Sequence, residues 1–136
     1  MKRTTPRKSA KGTAAGRRRI SSRIAVKRVY DQSDAGDGLR ILIDRLWPRG
    51  LSKAKLKLDA WPKELAPSNE LRKWYGHDPN RYAEFGRRYR GELAAHKDNL
   101  AALRAMIKGR TATLLTATRE LDLSHAGVLR DLLKKS

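Results

Sequence analysis

The clearest pattern in the chain is one apolar stripe. Tyr82, Phe85, Tyr89, Leu93, His96, Leu100, Leu103 and Ile107 recur at intervals of three or four residues, the spacing that lines one face of an α-helix. The stripe predicts one long helical segment, or two helices that meet near Lys97-Asp98. Arg81, Arg87, Arg88 and Arg90, with Glu84 and Glu92 among them, lie opposite. Such a helix packs on a sheet and keeps its charged side in water. His96, inside the stripe, is expected to be an inner, hydrogen-bonded residue.

Shorter apolar runs predict strands. Ile24–Tyr30 is rich in β-branched residues. Leu39–Asp44 is almost continuously apolar, which suggests burial on both faces. The turn-rich "DQSDAGDG" between them suits a hairpin or an abbreviated crossover, and the pattern does not choose. Thr111–Thr118 predicts a third strand. Pro62 and Pro67 break the segment after Gly50, leaving room for a short helix after Ser52. Ser68 is placed to cap a helix over Asn69–Tyr75 that Gly76 ends. Asp78-Pro79 opens the next, and His77 in that turn is expected to be exposed. A terminal helix follows His125, with Leu129, Leu132 and Leu133 inward. The late helix–strand–helix order argues for an α/β sandwich with at least one parallel strand pair.

Charge divides the chain. Residues 1–23 hold nine Lys or Arg and no acid, while the other 113 residues hold 23 basic and 14 acidic ones, for a net charge of +18. The first segment is expected to be a disordered basic tail and residues 24–136 a single domain. Lys2, Arg3, Arg7, Lys8, Arg17, Arg18 and Arg19 could meet nucleic acid through phosphate, blind to sequence because the tail has no aromatic residue. A solvated extension and an organellar presequence are the competing readings of the same residues. The chain has no cysteine, which excludes disulfides, thiolate zinc sites and a cysteine nucleophile, and which fits the cytoplasm. No apolar run approaches the roughly 20 residues that span a bilayer, and no secretory apolar region is present, so no membrane partner is expected. Metal-ligand spacings, phosphate-binding glycine loops and nucleophile elbows are also missing, and no cofactor is expected.

Ligands of open α/β sheets sit beyond the carboxyl ends of the strands. The second strand ends at Asp44-Arg45, followed by Trp47, Pro48, Arg49 and Gly50. The third ends at Thr116–Thr118 and runs into Arg119-Glu120. The last helix starts at Ser124-His125, and helix starts favour anions. If the two strand ends are neighbours, Asp44, Arg45, Thr116, Ser124 and His125 converge on one crevice. Asp44 and His125 are the candidate catalytic pair, Asp44 orienting Arg45 or acting as base and His125 shuttling or donating a proton. Arg45 and Arg49 would hold an anionic ligand, beside Trp47, Thr116 and Ser124. Each residue has a plainer use: Asp44 paired with Arg45, Arg49 or Arg119, Ser124 as a helix cap, Trp47 as a core anchor, His125 as a local hydrogen-bond donor.

The stretches "VKRVYD", "DGLRILIDRLWPRG", "WPKELAPSNELRKWYGHDPNRYAEFGRRYRGEL" and "TLLTATRELDLSHAGVLRDLL" together resemble the YeaO-like branch of the domain-of-unknown-function 488 family. The resemblance spans Ile24–Lys134. It implies a bacterial α/β domain, compact, Rossmann-like and three-layered, with a small, mostly parallel sheet and one long amphipathic helical segment. It implies no established activity. The family's marked positions correspond to Asp44, Arg45, Trp47, Pro48, Arg49 and Gly50, to Pro67, Ser68, Leu71 and Arg72, and to His125-Ala126. On that ground Ser68 and Arg72 join the candidate ligand contacts. More distant relatives carry Cys-His-Arg at the last helix and Cys or Tyr near the third strand's end. Here Ser124 precedes His125 and Thr116 stands on the strand, so thiol chemistry does not carry over.

Overall fold

The computed structural model describes residues 23–134. The expected tail contacts from Lys2 to Arg19 lie outside these residues. Arg23, counted above with the tail, is the first residue of a strand.

Three strands form the sheet: β1 (Arg23–Arg28), β2 (Leu39–Leu42) and β3 (Thr111–Thr116). Their order is β1-β3-β2 and both pairings are parallel. The hairpin alternative for β1 and β2 is therefore ruled out. Residues 29–38 cross the face of β3 instead, carrying a 3₁₀ turn over Ala35–Asp37. Thr113 Oγ1 donates to the Asp37 carbonyl at 2.8 Å and ties this crossover to the sheet. So short a crossover leaves no space for a side chain at Gly38. A Cβ there would stand 2.1 Å from the Thr111 carbonyl oxygen, and the residue has φ +65°.

Side chains alternate between the two faces of the sheet. Ile24, Leu39, Ile41, Ile43, Ala112 and Leu114 face the larger core. That core is covered by α2 (Asn69–Tyr75), α3 (Tyr82–Ala95), α4 (Lys97–Ile107) and α5 (His125–Lys134). Leu42, Leu115 and Val29 belong to a smaller cluster with the one-turn α1 (Lys53–Leu56), Trp47 and Trp61. The third layer is thus built of connections and one helical turn. On that side Asp37 is buried between Lys27 (2.9 Å) and Arg40 (2.5 Å). Burial raises its carboxyl, and the hydrogen bonds from Lys27, Asp34 and Arg40 overcome this and leave it below the ordinary carboxylate range.

The caps behave as their chemistry dictates. Ser68 Oγ accepts from Leu71 N, and Gly76, at φ 53°, ends α2. Asp78 Oδ1 accepts from Asn80 N at the 3₁₀ turn leading into α3. His77 is exposed. The apolar stripe is cut at His96, whose φ of −113° and ψ of 41° separate α3 from α4. This corrects the inner position expected for His96. The break resets the helical phase, so Leu93 and Leu100 stay buried while residues 94–99 are all exposed. The polar face is largely self-paired: Glu84 accepts from Arg87 and Arg88, and Arg81 and Arg88 lie against the Trp74 ring. Among the described residues no helix is long and apolar enough to cross a membrane.

Candidate functional site

The exits of β2 and β3 are neighbours, because β2 and β3 pair in parallel. Asp44, just past β2, accepts a hydrogen bond from Thr116 Oγ1 (2.7 Å) and another from Ala117 N (2.8 Å). Its third partner is His125 at the start of α5, with Nε2 to Oδ1 at 3.1 Å. One carboxylate therefore joins two strand exits and a helix start. Burial pushes the Asp44 carboxyl up, but the hydrogen bond and charge of His125, then Ala117 N–H and the Thr116 hydroxyl, outweigh it. The carboxyl is held below the ordinary carboxylate range.

His125 Nε2 also stands 3.1 Å from the Ile43 carbonyl. With two acceptors before it, Nε2 carries the proton, and in the neutral ring Nδ1 is the acceptor. The ring's neighbour is Tyr89, edge-on with centroids 6.0 Å apart. Tyr89 is fully buried, donates to the Leu65 carbonyl, and has its phenol pushed up by burial.

Arg45 does not meet Asp44. Consecutive residues at a strand end point to opposite sides, and Arg45 Nη2 donates to the carbonyls of Ala66 (3.1 Å) and Pro67 (3.4 Å). Asp44 thus orients His125, in place of the expected Arg45. Arg45 holds the segment leading into α2. Trp47 Nε1 donates to Leu51 O (2.7 Å) and closes the Trp-Pro-Arg-Gly turn, where Gly50 has φ +81°. Its ring meets Trp61 edge-on at 5.4 Å, and Trp61 Nε1 donates to Asp44 O (2.7 Å).

A crevice of about 810 Å³ opens over these exits. The β2 exit loop forms one wall, α2 another, and the β3 exit with the start of α5 the base. Asp44, Arg45, Trp47, Arg49, Arg72, Ser124 and His125 all line it. Thr116 is buried behind Asp44. The structure does not bring Ser68 to the crevice. Its N–H and hydroxyl bind Glu92 at 2.8 and 2.6 Å, and it borders a separate cavity of about 230 Å³. Ser124 is buried and donates to Leu121 O (2.7 Å).

Reading the chain alone missed Tyr30, Lys73 and Tyr75 as lining residues. Tyr30 follows β1, so knowing that β1 is parallel to β3 would have placed it. Lys73 could have been found from Arg72, its neighbour on a short helix. In all, Arg45, Arg49, Arg72, Lys73 and Arg119 line the crevice against the carboxylates Asp44 and Glu120. Among the described residues no group of three or more His, Cys, Asp or Glu could hold a metal ion. The chemistry on offer is a histidine with an oriented ring, in a crevice lined by more cations than carboxylates. The hydroxyls of Thr116 and Ser124 already donate to Asp44 and to the Leu121 carbonyl.

Residues 23–136 match the family model described as the inactive DUF488-N3 subclade. The chain belongs to this DUF488 subclade. Its family is the one its motif stretches resemble. An uncharacterised protein of Mycobacterium tuberculosis, Rv3073c, is 46% identical over 112 residues, covering 82% of this chain and 94% of its own. YeaO of Escherichia coli, also uncharacterised, is 45% identical over 111 residues, covering 82% of this chain and 96% of its own. No solved structure matches the DUF488 chain.

Proposed function

We propose that this protein binds a small anionic ligand in the crevice at the carboxyl ends of its strands. The excess of cationic over anionic side chains lining that crevice carries the reading. Asp44 is partly buried, and its carboxylate is engaged with His125, Thr116 and Ala117, so its oxygens are turned to protein donors. Arg49, Arg72 and Arg119 are exposed and reach ligand from three different segments. His125, held by Asp44 through Nε2, presents an oriented ring at the base. Binding without turnover agrees with the word "inactive" in the subclade's description and with hydroxyls at Thr116 and Ser124 that are committed to Asp44 and Leu121.

Titration calorimetry with inorganic phosphate tests the proposal, comparing the native chain with the double substitution Arg72→Gln, Arg119→Gln. Both side chains are exposed, so stability should stay within about 0.5 kcal/mol. Affinity should fall by roughly tenfold or more, and added salt should weaken binding by the native chain. Unchanged affinity in the double variant would contradict the assignment. The alternative, a non-catalytic protein held on nucleic acid by residues 1–23 and the basic helix face of Arg81, Arg87, Arg88 and Arg90, expects DNA binding that the crevice substitutions leave untouched. The helix face gives it little support, since Arg87 and Arg88 are paired with Glu84.

A further inference from the structure

The crevice has an apolar side that a bare oxyanion would not use. Among the described residues the exposed large hydrophobic side chains are Tyr30, 46% exposed, and Leu46, 68% exposed. Both border this crevice, on the exits of β1 and β2. A lone exposed leucine means little, but the coincidence of both at one mouth is informative. The Tyr30 ring is held in place. Its hydroxyl donates to Arg49 O (3.0 Å), and the Arg28 guanidinium lies 5.2 Å from its centroid. Deeper in, Tyr75 and Phe85 stack with centroids 4.3 Å apart and both line the crevice. The cations Arg72 and Lys73 come from α2 and Arg119 from the β3 exit, different segments from the apolar rim. A volume of about 810 Å³ suits an organic molecule far better than a single phosphate.

We infer that the ligand of this crevice is an aromatic phosphate monoester, with its ring against the Tyr30–Leu46 rim and its phosphate among Arg72, Lys73 and Arg119. The inference rests on the anion-binding reading above and specifies the class of anion. Rigid aromatic walls favour a flat ring over a hydrated sugar. Guanidinium groups from separate segments favour a phosphate, which offers oxygens in several directions.

Four probes on the full chain separate the two levels of the argument: phenyl phosphate, ribose 5-phosphate, inorganic phosphate and phenol, each titrated calorimetrically. Phenyl phosphate should bind roughly tenfold or more tighter than ribose 5-phosphate, from burial of its ring. Leu46→Ser, at an exposed position, should leave folding intact and remove most of that preference. Equal binding of phenyl phosphate and ribose 5-phosphate overturns this inference and leaves the anion site standing. An undiminished preference in Leu46→Ser also overturns it, by removing the ring from the rim. Phenol binding as tightly as phenyl phosphate overturns the anion reading, and binding of none overturns both.

Discussion

Replacing Asp44 by alanine tests whether one carboxylate joins the two strand exits and the last helix. The substitution removes the acceptor for Thr116 Oγ1, for Ala117 N and for His125 Nε2. His125 keeps the Ile43 carbonyl at 3.1 Å. Thr116 is fully buried, with the Thr118 hydroxyl 3.2 Å away as its one alternative. Ala117 N–H has no second acceptor among the described residues. At about 1–3 kcal/mol for a buried donor left unpaired, with Thr116 partly relieved and the half-buried Ala117 N–H at the low end, the total cost is about 2–3 kcal/mol. For a domain of this size that lowers Tm by on the order of 10–20 °C. Urea unfolding followed by tryptophan fluorescence measures it, helped by Trp61, which donates to Asp44 O. The folded state holds the Asp44 pKa below its unfolded value, so its charge stabilises above the unfolded pKa of about 3.9 and that stabilisation is lost as pH falls through the folded value. The gap between native protein and Asp44→Ala should therefore narrow below about pH 4. A variant within about 0.5 kcal/mol of the native chain would refute the role of Asp44 as a structural junction.

Other consequences follow from the same geometry. Gly38→Ala forces a Cβ onto the Thr111 carbonyl at positive φ and should cost at least about 2 kcal/mol in urea unfolding; native stability would mean that the crossover does not lie against β3. Ser68→Ala removes the cap of α2 and a partner of Glu92, costing about 1–2 kcal/mol. It should leave phosphate affinity unchanged by calorimetry, since Ser68 lies outside the crevice.

Local chemistry was readable in the chain wherever one short segment decides its own structure. Ser68, Gly76 and Asp78-Pro79 bound their helices as capping rules require, and Thr111–Thr116 is strand because β-branched and apolar residues dominate it. The strand order was not readable, because β3 enters between β1 and β2 only after some seventy residues of intervening chain. No local pattern records that insertion, and the same gap hid Tyr30 from the list of lining residues. The apolar stripe misplaced His96 because the junction of the two helices, expected near Lys97-Asp98, falls on His96 itself. The meeting of Asp44 with His125 was foreseen as a convergence. Their direct pairing depended on which way each side chain turns, as did the capture of Arg45 by the Ala66 and Pro67 carbonyls. Family membership names no ligand, so the ligand must be argued from the crevice itself.

The most direct test of the anion site is a two-dimensional ¹H–¹⁵N spectrum of the labelled full chain titrated with inorganic phosphate. Saturable shifts should concentrate at Arg45–Arg49, Arg72–Lys73, Thr118–Glu120 and His125, the segments that line the crevice. Shifts confined to other surfaces, or none up to millimolar phosphate, would contradict the anion site.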